Sequence, residues 1–206
     1  KQRLSDAERS ELFVYATQGV VGIYLPISAG LVMTADRLLP FVFGPAYAEA
    51  ALAAKIYAPY LLMNGISALH SLALDYMGFA RRRAVAALLS AGANVALNLV
   101  LIPRFGIEGA AVATQITYIP LALWYVFVIL NSVGGSKSSF IEKMGPVCLS
   151  TTGMVFSILI FQRYVSSGVL FVILFGVLSY FVMCYIFGLF SGNLYKYITG
   201  KKEWIA

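Results

Sequence analysis

The chain is short of charge. Of its 206 residues only 15 are Lys or Arg and 9 are Asp or Glu, 12% together, where a soluble domain carries about a quarter. Histidine and cysteine are scarce too: His70, Cys148 and Cys184 are all there is. So few ligands exclude a zinc-type cluster, which needs several Cys and His at set spacings. Both cysteines fall within apolar stretches, where they read as small packing residues rather than a disulfide pair. No pair of carboxylates lies in an apolar segment, and no nucleophile motif comes with a base, so acid–base and covalent catalysis have no footing. The chain reads as no enzyme and implies no cofactor.

What fills the space is hydrophobic. Such residues make up 60% of the chain, and the mean hydropathy is +0.83. The few charges are also unevenly placed, leaving six charge-free windows: Leu12–Met33, Ile56–Leu74, Ala84–Ile102, Gly109–Leu130, Met144–Phe161 and Gly168–Phe190. Each is near the ~20 residues that cross a ~30 Å hydrocarbon core as a helix. The expectation is an all-α, polytopic transmembrane helix bundle of about six spans. The polar start Lys1–Glu11 lacks the apolar core and cleavage site of a signal peptide, and with no Met at position 1 it reads as an internal point of a longer protein.

Six spans sort the basic residues by side. One side collects Lys1, Arg3, Arg9, Arg81, Arg82, Arg83, Lys137, Lys143, Lys196, Lys201 and Lys202; the other has Arg37, Lys55, Arg104 and Arg163. Under the positive-inside rule the richer side is cytoplasmic, and both ends of the chain lie there. The net charge of +6 is then a matter of topology. A nucleic-acid role would need a basic face on a folded soluble surface, and none is present.

Along the chain, the first span carries Gln18 and Pro26 among Gly19, Gly22 and Gly30, a packing kink or a hinge. Leu38–Gly44, at the centre of an outer segment Thr34–Leu52, is too short to span and is expected to form an interfacial or re-entrant turn. The second span is the most polar, with Asn64, Ser67 and His70 inside and Lys55 and Asp75 at its edges. The third places Ser90, Asn94 and Asn98 at spacing four on one helix face. It ends at Pro103, and Arg104–Glu108 makes a short outer turn. The fourth opens on Gly109-Ala110-Ala111-Val112-Ala113, small residues that let helices approach closely. A Gly/Ser-containing cytoplasmic linker, 132–143, divides a four-helix part, 1–131, from a terminal hairpin and tail, 144–206. That hairpin reads as lipid-facing, with Tyr164, Tyr195, Tyr197 and Trp204 as interface anchors.

The stretch Asn94–Thr117, NVALNLVLIPRFGIEGAAVATQIT, resembles the C-terminal half of polysaccharide-export flippases (O-antigen and teichuronic-type) in the multidrug/oligosaccharidyl-lipid/polysaccharide superfamily. The shared pattern is an Asn-containing helix, Ile-Pro, a short turn with Gly, then Gly-Ala-Ala and a small-residue helix. Leu39–Ala50, LPFVFGPAYAEA, is similar to the family's apolar turn with Phe-Gly, a Tyr and an Ala before the next span. The resemblance is best over residues 38–130 and weaker in the last two spans. It implies a MATE-like transporter of twelve to fourteen helices in two lobes around a central cavity. This chain would be helices nine to fourteen, a partial lobe whose N-terminal partner lobe lies elsewhere in the protein, in the inner membrane.

The implied substrate is a lipid-linked oligosaccharide on a polyprenyl diphosphate. Its anionic headgroup and many hydroxyls need a wet cavity with a cation and with amide or hydroxyl groups. On the second to fourth spans the candidates are Lys55, Asn64, His70, Asn94, Asn98, Thr114 and Gln115. Each has a structural alternative. Asn94 and Asn98 can be interhelical hydrogen-bond glue, Lys55 can snorkel to the interface, and His70 can be a hydrogen-bonded structural residue or a proton-coupling site. Arg81–Arg83 serves as a topology anchor that could also meet anionic membrane lipids. The competing functions are a cation-coupled multidrug exporter, disfavoured by the lack of acids in the six windows, and a membrane enzyme of glycan assembly, disfavoured by the short loops.

Overall fold

The computed structural model describes residues 6–132, 137–165 and 168–189. Tyr195, Tyr197, Trp204, Lys1, Arg3, Lys196, Lys201, Lys202 and the Gly134-Gly135-Ser136 stretch lie outside the described residues. Among those described, the chain is helical with no strand: α1 (Asp6–Phe43), a 3-10 turn (Pro45–Ala50), α2 (Ala51–Tyr76), α3 (Ala80–Ser132), α4 (Lys137–Tyr164) and α5 (Val169–Ile186). By length and composition α1, α3, α4 and α5 can cross a membrane. The 26 residues of α2 reach ~39 Å at 1.5 Å per residue, but Asn64, Ser67 and His70 dilute its hydropathy and it falls outside that group.

The 53 residues of α3 are not one rod. Gly106 sits at φ 56°, ψ −134°, outside helical space, and breaks the run into arms 80–105 and 107–132. Ser90 Oγ donates to Thr117 O at 3.0 Å, although 27 residues of straight helix would separate them by ~40 Å. The chain therefore doubles back at the turn expected around Arg104–Glu108. Glycine is required twice here. Gly106 has a positive φ that other residues reach only with strain, and any Cβ on Gly109 would overlap the backbone carbonyl of Leu101.

One expectation fails. Residues 34–43 do not leave the helix for an interfacial or re-entrant turn; α1 runs unbroken through Pro40 to Phe43 and stops at Gly44, φ 97°. The reversal instead occupies the 3-10 turn Pro45–Ala50. A proline interrupts a helix only where its freed carbonyl and its ring cannot be accommodated, and here the next turn continues, with Gly44 N–H donating to Pro40 O at 3.0 Å.

Helix α2 packs between α1 and α3, and α1 also packs against α4 and α5. Two apolar clusters mark these seams, Leu74 with Leu121, Tyr125 and Ile129, and Met154 with Ile158 and Val172. The last two helices are apolar and exposed on one side and buried on the other. Phe156, Ile160, Leu170 and Phe171 are exposed, while Val147, Ile158, Val172 and Cys184 are buried.

The polar ties between helices concentrate at prolines. Pro26 removes the N–H that would reach Gly22 O, and Tyr180 Oη of α5 donates to that carbonyl at 2.7 Å. Gln18 Nε2 donates to Lys143 O at 2.8 Å, three residues before Pro146 of α4. Gln115 Nε2 donates to Ile56 O at 2.8 Å, three residues before Pro59 of α2, and Ser28 Oγ donates to Ala58 O at 2.7 Å. Membrane helices tolerate proline where a neighbouring group re-satisfies the freed carbonyl, as Tyr180 does for Gly22 O.

Candidate functional site

The i, i+4 spacing of Ser90, Asn94 and Asn98 lines them along one face of the first α3 arm, where they meet Thr117 of the second. Asn98 Nδ2 donates to Asn94 Oδ1 at 2.9 Å, and Asn94 Nδ2 donates to Thr117 Oγ1 at 3.2 Å. Thr117 Oγ1 in turn lies 3.0 Å from Ala113 O. This ladder ties the hairpin shut. It leaves Asn98 Oδ1 buried without a hydrogen-bond donor. Thr114 turns inward on its own helix, donating to Ala110 O at 3.0 Å.

Gln115 reaches across to α2. Besides Ile56 O, its Nε2 lies 3.2 Å from Tyr57 O, and its Oε1 is buried with no donor. One turn further along, Tyr118 packs edge-on against Tyr60, ring centroids 4.7 Å apart, and Tyr60 packs against Tyr57 at 4.7 Å. Asn64 follows one turn after Tyr60 on α2, exposed and without a hydrogen bond among the described residues.

The remaining two candidates lie apart from this group. His70 is fully buried between α1 and α2. Its Nδ1 lies 2.5 Å from Ile66 O, its Nε2 lies 3.4 Å from Thr17 Oγ1, and Phe13 packs edge-on at 4.7 Å. Lys55 Nζ lies 2.5 Å from Asp36 Oδ2, joining the end of α1 to the start of α2. At the opposite end, Arg83 Nε donates to Asp75 Oδ1 at 2.6 Å, and Arg82 lies over the Phe79 ring. A cavity of about 250 Å³ there joins Arg9 and Phe13 of α1 to Tyr76, Ile129 and Ser132. The start of α1, the end of α2 and the end of α3 thus share one end of the bundle.

A larger cavity, about 720 Å³, runs between α1, α4 and α5 along Gly22, Pro26, Gly30, Val172, Gly176 and Tyr180. It is apolar, and none of the seven candidates lines it. Among the described residues no three His, Cys, Asp or Glu side chains form a metal-holding group.

Against solved structures the chain is similar to the lipid II flippase MurJ in its inward-closed conformation. The TM-score is 0.71 at 21% identity, over 85% of this chain and 38% of that one. The fold is the one seen in that flippase. The chain spans about two fifths of the MurJ structure's length. No protein-family model matches the chain, and neither does any curated protein. At 21% identity the likeness is one of fold.

Within this MurJ-like bundle several residues carry contacts that sequence reasoning passed over. Thr117, Tyr180 and Ser28 are interhelical donors or acceptors; for Tyr180 the signal was Pro26, which names Gly22 O as the carbonyl that needs a donor. Asp36 escapes notice because its partner Lys55 is 19 residues away. Tyr57, Tyr60 and Tyr118 hid among the chain's 13 tyrosines, though the 57–60 spacing and the neighbouring Asn64 mark one face.

Proposed function

We propose that this chain is part of an inner-membrane transporter that flips lipid-linked oligosaccharide or polysaccharide repeat units by alternating access. The MurJ-like fold carries the reading: it is the architecture of a protein named for flipping a lipid-linked substrate. In this reading α1, α2, the two arms of α3, α4 and α5 make six spans. The end holding Arg9, Arg81–Arg83 and Lys143 faces the cytoplasm, in keeping with the positive-inside rule. Asn64, Asn94, Asn98, Thr114 and Gln115 face or border the transport path, Lys55 guards its outer end, and His70 holds α1 to α2 beside it. The buried, donor-less Asn98 Oδ1 and Gln115 Oε1 support this, because apolar surroundings make such acceptors costly unless water or a ligand serves them.

The test is translocation by the full-length protein in liposomes, with a labelled lipid-linked oligosaccharide, lipid II and a cationic dye run in parallel. Movement of a glycolipid supports the reading. Dye movement without glycolipid movement would assign a multidrug exporter, and recovery of a chemically altered glycolipid would assign an enzyme of glycan assembly.

A further inference from the structure

Most side chains exposed along this bundle are what lipid demands: Leu88, Leu89, Val95 and Leu99 on α3, Leu170, Phe171, Leu174 and Phe181 on α5. One face of α2 differs. At 3.6 residues per turn, Asn64 lies about 20° around the helix from Tyr57 and about 40° from Tyr60. Asn64 falls near the middle of the charge-free window Ile56–Leu74, which in the six-span reading is the depth where hydrocarbon is driest. An exposed amide there has four hydrogen-bonding positions and no described partner. Lipid cannot satisfy it. The face needs water, a polar ligand or a polar group from the rest of the protein beside it.

The surroundings narrow which ligand. Tyr57, Tyr60 and Tyr118 form a continuous run of rings across α2 and the second α3 arm. Gln115, anchored by its Nε2 to the α2 backbone, sits one turn from Tyr118 with its Oε1 unserved. Flat apolar ring faces bordered by amides and phenol hydroxyls match a sugar, whose C–H faces are apolar and whose rim is hydroxyl. They do not match a diphosphate, which calls for cations; no Lys or Arg lies on this face between Lys55 and Arg81. We infer that the Tyr57–Tyr60–Tyr118 surface, with Asn64, is a hydrated subsite that takes the glycan moiety of the lipid-linked substrate, its rings packing on sugar faces and the Asn64 amide bonding hydroxyls, while Gln115 fixes the second α3 arm against α2 beneath it. The ligand in this inference rests on the transport reading, and the hydrated surface rests on α2 spanning the membrane.

Two measurements on the full-length protein test it. In a Cys148→Ser, Cys184→Ser background, Asn64→Cys should react with a membrane-impermeant maleimide in liposomes, whereas Leu99→Cys should not. An inert Asn64→Cys, beside a reactive control in the 3-10 turn such as Ala48→Cys, would mean that protein or lipid covers the face and would overturn the inference. The second is binding, in detergent, of an undecaprenyl diphosphate carrying a short fluorescent oligosaccharide, competed by undecaprenyl diphosphate without sugar. The sugar-bearing lipid should bind about tenfold more tightly. Tyr60→Leu and Tyr118→Leu should abolish that preference while leaving the sugar-free lipid's affinity intact, and Tyr60→Phe should preserve it. Equal affinity for the two lipids in the unmodified protein, or a preference surviving both Leu variants, would overturn the inference even if translocation is observed. Sugar-dependent binding without translocation would instead remove the transport reading and leave the subsite standing.

Discussion

The hydroxyl of Tyr180 donates to the carbonyl of Gly22 at 2.7 Å, and Gly22 O is the acceptor that Pro26 deprives of its in-helix donor. The contact joins α5 to α1 at the point where α1 would otherwise expose an unpaired carbonyl. Lipid tails are as apolar as leucine, so helix association here rests on packing and on individual bonds of this kind, worth ~0.6 kcal/mol on average and up to ~1.7.

Tyr180→Phe should therefore destabilise the protein by about 1 kcal/mol. The informative partner is Pro26→Ala, which returns an N–H to Gly22 O. In that background Tyr180→Phe should cost less, and the difference is the coupling energy. Thermal unfolding of the four detergent-solubilised variants measures it. Equal losses in both backgrounds would separate the hydroxyl from the proline.

The α3 hairpin should be intolerant at its turn. Gly109→Val drives side-chain atoms into the Leu101 carbonyl, and overpacking on this scale typically costs 1–3 kcal/mol, roughly, or more. Gly106→Ala asks for a positive φ from a residue with a Cβ, a strain on the order of 1–3 kcal/mol. Both variants should give reduced yields of monodisperse protein, whereas Gly92→Ala, with open space around it, should behave as the parent does.

Asn94 and Asn98 should separate. Asn94→Leu removes the bond to Thr117 and the acceptor for Asn98, so it should lower stability by about 1 kcal/mol. Asn98→Leu removes an amide whose Oδ1 has no donor, which offsets part of the loss of its Nδ2 bond to Asn94 Oδ1, so it should cost less stability than Asn94→Leu. If Asn98 borders the transport path, Asn98→Leu should still cut translocation several-fold. Full transport by Asn98→Leu would make the residue purely structural.

Lys55 and Asp36 form an ion pair whose side chains are 30% and 64% exposed, so breaking it should shift stability by less than ~1 kcal/mol. The two members should nonetheless differ in activity. Lys55→Met removes the cation offered to an anionic headgroup and should reduce translocation about tenfold, roughly 1.4 kcal/mol. Asp36→Asn frees that cation and should leave transport equal or faster. Matching losses in the two variants would mean that the pair itself matters.

Much of this architecture could be read from the residues in order. The long apolar helices follow from where charges stop, because a helix that meets hydrocarbon is selected by the transfer energy of its own residues. The Arg104–Glu108 reversal was legible from Pro103 and the glycines around it, and the common face of Ser90, Asn94 and Asn98 from spacing alone. The extension of α1 through Pro40 was not: proline and glycine signal a stop, and only the continuing helical turn decided against one. Nor was the site. Spacing put Asn94 beside Asn98, but only the fold set Thr117 against Asn94, Gln115 beneath Ile56, and Tyr118 against Tyr60. Hydropathy is a property of each segment by itself, whereas which donor meets which carbonyl depends on the rotation and depth of two helices at once. In an apolar medium those are set by shape and by single hydrogen bonds, which leave no periodic trace in the sequence.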